Sequence, residues 1–267
     1  PMRNGWVIVD GRRIVAVGQL GEAGDMVERD LGEVAVMPGL VNAHTHLEFS
    51  YLRGMVPPAA RFTNWVRDIV AARRERPDPS APEILEGIDR GVAEAVAAGT
   101  AAVGDISNTL VTFQPIARSR LAGVVFYEVI AFNPRDAVAL VGEACARVRA
   151  LGLVGRVRAS LAAHAPYSVA PDVFLNIRRA MDLDGLAPGS AQETPVPWSV
   201  HLAESDEEVE FIRTGGGPWR EFLEGIGVWS PSWVVPQVTP VEYLDGIGVV
   251  DARLLVVHGV KTTEADL

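Results

Sequence analysis

A single cysteine, Cys145, and a single lysine, Lys261, stand in a chain of 267 residues. One cysteine cannot form an internal disulfide, which excludes a stapled secreted scaffold and makes a reducing compartment the default. Positive charge is scarce as well: 24 Lys plus Arg against 34 Asp plus Glu leave a formal net charge of -10. That sign is wrong for a nucleic-acid footprint or for adhesion to an anionic membrane. No apolar run reaches the roughly 18–20 residues that span a bilayer, and Pro1–Gly11 lacks the basic start and apolar centre of a signal peptide. The expectation is a cytoplasmic protein whose partner is a small molecule, with no nucleic acid, no membrane, and room for a homodimer. What remains is ordinary globular material, 48% hydrophobic and 22% charged. By length alone one barrel of roughly 250 residues would fit.

The first segment reads as short strands. Trp6-Val7-Ile8-Val9 runs into Asp10-Gly11, a hairpin signal, and Ile14-Val15-Ala16-Val17 follows. Gly18, Gly21 and Gly24 then punctuate a loop. From Val36 onward apolar strands alternate with helical patterns. The strand candidates are Leu40–His44, Thr100–Asp105, Val124–Ile130, Arg158–Ala163, Trp198–His201 and Leu254–His258. Between them lie amphipathic stripes, Ile84, Leu85, Ile88, Val92 and Val96 in one, and Val138, Val141, Cys145 and Val148 in another. Ser80 with Glu83 and Ser205 with Glu208 have capping-box spacing. Apolar strands separated by helices imply a parallel sheet covered by helices. An open doubly wound sheet would carry a glycine-rich turn after its first strand, whereas this one ends in Asn42-Ala43-His44-Thr45-His46. Gly215-Gly216-Gly217 follows a helical pattern without a lysine and is no phosphate loop. The barrel is favoured, with residues 1–36 as part of a small flanking β unit and 37–267 as barrel.

All five histidines, His44, His46, His164, His201 and His258, fall at or near the C-terminal ends of predicted strands. In a (β/α)8 barrel that rim carries the chemistry. His44 and His46 are two apart on extended chain, so their rings point the same way. One strand histidine is usually a hydrogen-bonded core residue; five on one rim point to a metal. Imidazole suits zinc, and ferrous iron second, and such a metal makes water a nucleophile at neutral pH. Glu204, three residues after His201, is placed to shuttle the proton this chemistry releases.

Met37-Pro38-Gly39-Leu40-Val41-Asn42-Ala43-His44-Thr45-His46 resembles the opening signature of the amidohydrolase superfamily. His201-Leu202-Ala203-Glu204 and Val257-His258-Gly259-Val260 are similar to later motifs of its mononuclear deaminase branch, which includes cytosine, guanine and S-adenosylhomocysteine/methylthioadenosine deaminases. The resemblance implies a (β/α)8 TIM-barrel hydrolase with a small flanking β-sandwich. It implies His44, His46 and His201 as ligands of one divalent metal, Glu204 as general acid/base, and His258 as the residue that polarises the reacting centre. His164-Ala165-Pro166-Tyr167-Ser168 resembles the segment from which nucleoside deaminases contact substrate, which makes His164 a binding residue. Leu52-Arg53-Gly54, and Trp65 within Phe62-Thr63-Asn64-Trp65-Val66, resemble the same enzymes, where a tryptophan lines the nucleoside pocket. Trp65 could equally be core. Glu48 is similar to a carboxylate of the aminodeoxyfutalosine deaminases that would bind ribose hydroxyls, with a structural hydrogen bond as its other reading.

Binuclear members bridge two metals with a carboxylated lysine on the fourth strand. Lys261 lies beyond the sixth, so the resemblance implies a mononuclear site. The expected reaction is hydrolytic deamination of an amino-substituted purine nucleoside: aminodeoxyfutalosine first, then S-adenosylhomocysteine or methylthioadenosine. Another hydrolysis on the same site (free-base deamination, dechlorination, cyclic-amide opening) and a non-catalytic relative that keeps the fold are the rivals. The resemblance also calls for an aspartate ligand after an eighth strand, and the chain shows only six β/α units before Leu267. The expectation is therefore a C-terminally incomplete barrel with three of four ligands, one that neither closes nor holds metal normally.

Overall fold

Strands β1 (Gly5–Asp10) and β2 (Arg13–Gln19) form an antiparallel hairpin, as Asp10-Gly11 predicts, with a register shift at Ile8/Val9. These come from a computed structural model that describes residues 2–11, 13–19, 29–183 and 196–266. Gly18 lies inside β2 and not in a loop, because the Trp6 ring covers it: a Cβ there would sit 2.4 Å from Trp6 Cζ2. Gly21 and Gly24 lie outside the described residues. The chain divides into two compact units, Pro1–Pro38 and Gly39–Leu267.

The second unit is built on six parallel strands. They are β3 (Leu40–Thr45), β4 (Thr100–Ser107), β5 (Ala122–Val129), β7 (Val157–Ala163), β8 (Trp198–Leu202) and β9 (Leu254–His258), hydrogen-bonded in that order. A short β6 (Leu153–Val154) pairs antiparallel with β7. Each sequence-predicted strand is present with ends within two residues of the expectation; β5 starts two residues earlier, at Ala122, and stops at Val129, leaving Ile130 outside it. Helices α1 (Phe62–Arg74), α2 (Pro82–Ala97), α3 (Phe113–Arg118), α4 (Ala137–Leu151), α5 (Pro171–Leu183), α6 (Asp206–Thr214), α7 (Gly217–Gly225) and α8 (Pro240–Gly246) fill the crossovers. Alternation along the strands divides the interior in two. Val103, Val125, Ala159 and Leu161 join the helices in the main core, with Ile88, Val148, Phe174 and Phe211. Ile106, Phe126 and Ala162 pack together on the other face. This is the layered barrel architecture the pattern implied.

Three local expectations are corrected. Val138 is exposed, and α4 buries Val141, Ala144, Cys145 and Val148 instead; the buried stripe begins one turn later. Ser80 does not cap α2: Ala81 is the N-cap with Pro82 behind it, and the Ser80 hydroxyl donates to Asp78. Proline at the first helical position has no N–H to satisfy and a φ already fixed for the helix, so the start forms without a capping side chain. The Ser205 box is half formed, with the Glu208 amide donating to Ser205 Oγ while the Glu208 carboxylate goes elsewhere. A complete box appears at Thr239 and Glu242, opening α8. Among the described residues no helix is long and apolar enough to cross a membrane.

Candidate active site

Parallel strands present all their C-terminal ends on one side, so residues that close β3, β7, β8 and β9 meet there. His44 is the penultimate residue of β3 and His46 just follows the strand, preceding a 3-10 turn over Leu47–Leu52. His201 is in β8, His258 ends β9, and His164 follows β7. The rings of His44 and His46 are 4.8 Å apart, those of His44 and His201 4.9 Å, and those of His44 and His258 5.2 Å. His164 lies 5.1 Å from His201. His46 Nε2 and His201 Nε2 are separated by 3.3 Å, and the buried Nδ1 of His44 has no hydrogen-bond partner.

Burial, reinforced by the neighbouring imidazoles, keeps these rings neutral. It lowers His44 to about 4 and pushes His46 well below the ordinary histidine range. It also takes His201 to about 3 despite the opposing pull of Glu128. Each neutral imidazole carries one nitrogen lone pair that it can give to a cation. His44, His46 and His201 bring one ligand atom each to within 4.8 Å of the others, a donor set that fits a zinc-like cation.

Glu204 sits beside this group, its Oε1 3.4 Å from His258 Nε2. Burial raises its carboxyl to about 7, the range in which a group can both take and give a proton at neutral pH. The turn that aims it is unusual. Ala203 adopts a left-handed φ of 53°, costly for a residue with a Cβ. The buried Glu208 carboxylate holds it there, accepting from the Ala203 amide at 2.9 Å and the Glu204 amide at 2.8 Å. This is where the missing half of the capping box goes. Lys261, the one lysine, donates to Asp206 at 2.9 Å, and its amide donates to the Ala203 carbonyl.

Glu48 is buried. Its Oε2 accepts from Ser107 Oγ at 2.5 Å and the Thr109 amide at 3.3 Å, and its Oε1 from Arg73 at 3.1 Å. It lines a cleft of about 330 Å³ with Tyr51, Arg73, Arg74 and Thr109. Trp65 is 38% exposed and stacks on Phe62, which meets Trp219; Trp219 stacks on Tyr167 at 3.7 Å, and Tyr167 meets His164 edge-on. The five histidines and Glu204 are thus gathered at one place, whereas Trp65 is linked to it only through three other rings. The residue that sequence reasoning passed over is Glu128. It is buried in β5, 3.5 Å from His201 Nδ1 and 4.0 Å from His164 Nε2. A lone acid inside Val124-Val125-Phe126-Tyr127-Glu128-Val129, near a strand's C-terminal end, was the available signal.

The family model described as "Amidohydrolase family" matches residues 35–267. The aminodeoxyfutalosine deaminase of Deinococcus radiodurans is 31% identical, aligned over 98% of this chain and 61% of its own length. The 5'-deoxyadenosine deaminase of Methanopyrus kandleri is 26% identical over 93% of this chain and 51% of its own length. The chain therefore spans about half to three fifths of these two relatives. Among solved structures, the Helicobacter pylori aminofutalosine deaminase in complex with methylthio-coformycin superposes with a TM-score of 0.62 at 23% identity. It covers 78% of this chain and 47% of the other. A zinc-complexed atrazine chlorohydrolase from Arthrobacter aurescens gives 0.66 at 17% identity, covering 97% and 57%. These structural likenesses speak for the fold.

Proposed function

This chain belongs to the amidohydrolase family, and from that premise we propose that it supplies most of the active site of a metal-dependent nucleoside deaminase. One observation carries the reading: His44, His46 and His201 converge beside a Glu204–His258 pair 3.4 Å apart. In this proposal the three histidines hold one divalent metal, zinc first and iron second. When bound, the metal supplies Lewis-acid chemistry that brings the pKa of a water to about 7.

The protein's own residues do the rest. Water adds to the amine-bearing ring carbon. Glu204 Oε1 takes the proton the water loses and passes it to the ring nitrogen. The carbon–nitrogen bond then breaks, and the departing amine leaves as ammonia after receiving the remaining proton. His258, held by Glu204, polarises the carbon under attack. His164 is a substrate-binding residue, and Trp65, joined to it through Phe62, Trp219 and Tyr167, lines the nucleoside pocket farther out. Glu48 accepts from a ribose hydroxyl, sharing its carboxylate with Arg73 and Ser107. The aminodeoxyfutalosine and 5'-deoxyadenosine deaminases named above support a 6-aminopurine nucleoside; our order is aminodeoxyfutalosine first and S-adenosylhomocysteine or methylthioadenosine next. We place the reaction in the cytoplasm.

The test is ammonia release from those nucleosides, with cytosine, guanine and a chlorotriazine as controls. Glu204→Gln should retain zinc and lose at least about a hundredfold in turnover, the scale of general acid–base assistance. Near-normal turnover in that variant removes the proton role. Activity confined to the free bases, or chloride release from the triazine, removes the nucleoside reading.

A further inference from the structure

The mechanism leaves Glu128 unused, although it is among the most deeply placed acids in the chain. Its Oε2 accepts from Asn108 Nδ2 at 2.7 Å, and Asn108 Oδ1 in turn accepts from Arg73 Nη1 at 2.7 Å. Arg73 also holds Glu48. The carboxylate is therefore fixed in orientation from α1 and the end of β4, and its other oxygen is aimed. That oxygen, Oε1, is buried without a hydrogen-bond partner and lies 3.5 Å from His201 Nδ1. The same Nδ1 lies 2.9 Å from the His164 carbonyl oxygen, which can only accept. A nitrogen facing a carbonyl and a carboxylate must carry its hydrogen, so Nδ1 is the protonated nitrogen and Nε2 bears the lone pair. Nε2 is the nitrogen 3.3 Å from His46 Nε2.

We propose that Glu128, together with the His164 carbonyl, is a positioning residue that fixes the tautomer and ring orientation of His201, presenting Nε2 to the metal held with His44 and His46. The proposal rests on the metal-site reading above. Metal-bound histidines are generally oriented by such an acceptor at the far nitrogen, and removing it costs about 10–100-fold in affinity. Glu128, His164 and His201 also lie close enough to hold a cation of their own. A cation there would need the Nδ1 lone pair and would break the 2.9 Å bond to the His164 carbonyl, so the positioning role is the one the geometry favours.

The experiment uses the full chain, with zinc ion titrated against a chromogenic chelator for the unsubstituted protein, Glu128→Ala, Glu128→Gln and His44→Ala. Circular dichroism in chelator checks that each is folded, and nitrogen-15 spectra of the metal-free protein report the His201 tautomer. The expected result is one zinc per chain, held more weakly than by a four-ligand site because three histidines are the protein donors, and a further loss of about 10–100-fold in affinity in Glu128→Ala. Glu128→Gln, whose amide oxygen can still accept from Nδ1–H, should recover most of that loss and keep the Nδ1–H tautomer. If Glu128→Ala does not fold, the proposal stands or falls on Glu128→Gln. That variant must keep the tautomer and bind within about tenfold of the unsubstituted chain, because a ligand carboxylate could not be replaced so cheaply. Two zinc ions falling to one in the Glu128 variants would make Glu128 a ligand and overturn the proposal. Unchanged affinity and tautomer in Glu128→Ala, with zinc still lost in His44→Ala, would overturn the positioning role alone. No zinc binding by the unsubstituted chain would overturn the metal site itself.

Discussion

Asp105 shows how much a single carboxylate can be bent by its surroundings. It is completely buried in β4, and one oxygen accepts from the Leu47 amide at 2.8 Å. Burial is the dominant influence and pushes its carboxyl up to about 7; the nearby Thr112 hydroxyl and the Leu47 amide pull the other way, and the Glu48 charge adds to the rise. An unfolded aspartate titrates near 4. The folded state therefore holds its proton more tightly, and the stability this group contributes is complete below pH about 4 and lost as pH rises through about 7. Asparagine does not titrate, so the cost of Asp105→Asn should be largest near pH 4.5 and shrink toward pH 8. Urea denaturation of both proteins at three pH values measures it, and a cost that grows with pH contradicts the assignment. Residue by residue, the histidines and Glu204 were legible because their types and strand-end positions are visible in one dimension. Glu128 and the second task of Glu208 were not, since each acts across elements on partners that only the folded sheet brings near.

The strands were read closely because buried parallel strands are continuous apolar runs between helical patterns, and little else in a sequence looks like that. Helix starts were read poorly, since Ser80 and Ala81 compete for one end and Pro82 decides it. What no pattern could show is how β3 bends. Its register against β4 slips between Asn42 and Thr45, the stretch that carries His44. Irregularities of this kind often re-aim side chains beside active sites. Gly104 makes this one possible: a Cβ there would stand 2.2 Å from the Ala43 carbonyl oxygen. Gly104→Ala should therefore push β3 away from β4, cost about 1–3 kcal/mol as an overpacked core substitution does, and weaken zinc binding through His44. Denaturant midpoints and the chelator titration read the two effects together. A variant that loses stability but binds zinc unchanged would separate the bend from the site.

Six strands in sequence order leave β3 and β9 at the two ends of the sheet, each paired on one side only among the described residues. Both ends are apolar: Val41 is 70% exposed, Leu40 50% and Val256 43%. Single exposed valines are unremarkable on a surface. Here they flank rows of unpaired backbone donors and acceptors, the arrangement that recruits another strand. The acidic net charge opposes association only over about 8–10 Å at ordinary ionic strength, whereas edge pairing acts at contact. Taken by themselves, these 267 residues should accordingly self-associate in a concentration-dependent way, and more strongly in high salt. Val41→Lys and Val256→Lys should shift it toward monomer, because a lysine on an edge is costly to bury against a second copy. Sedimentation velocity across a hundredfold range of concentration decides it. A monomer throughout, or association indifferent to both lysines, would mean that the strand ends are not what brings copies together, and the room for a homodimer left by the sequence would have to be filled by another face.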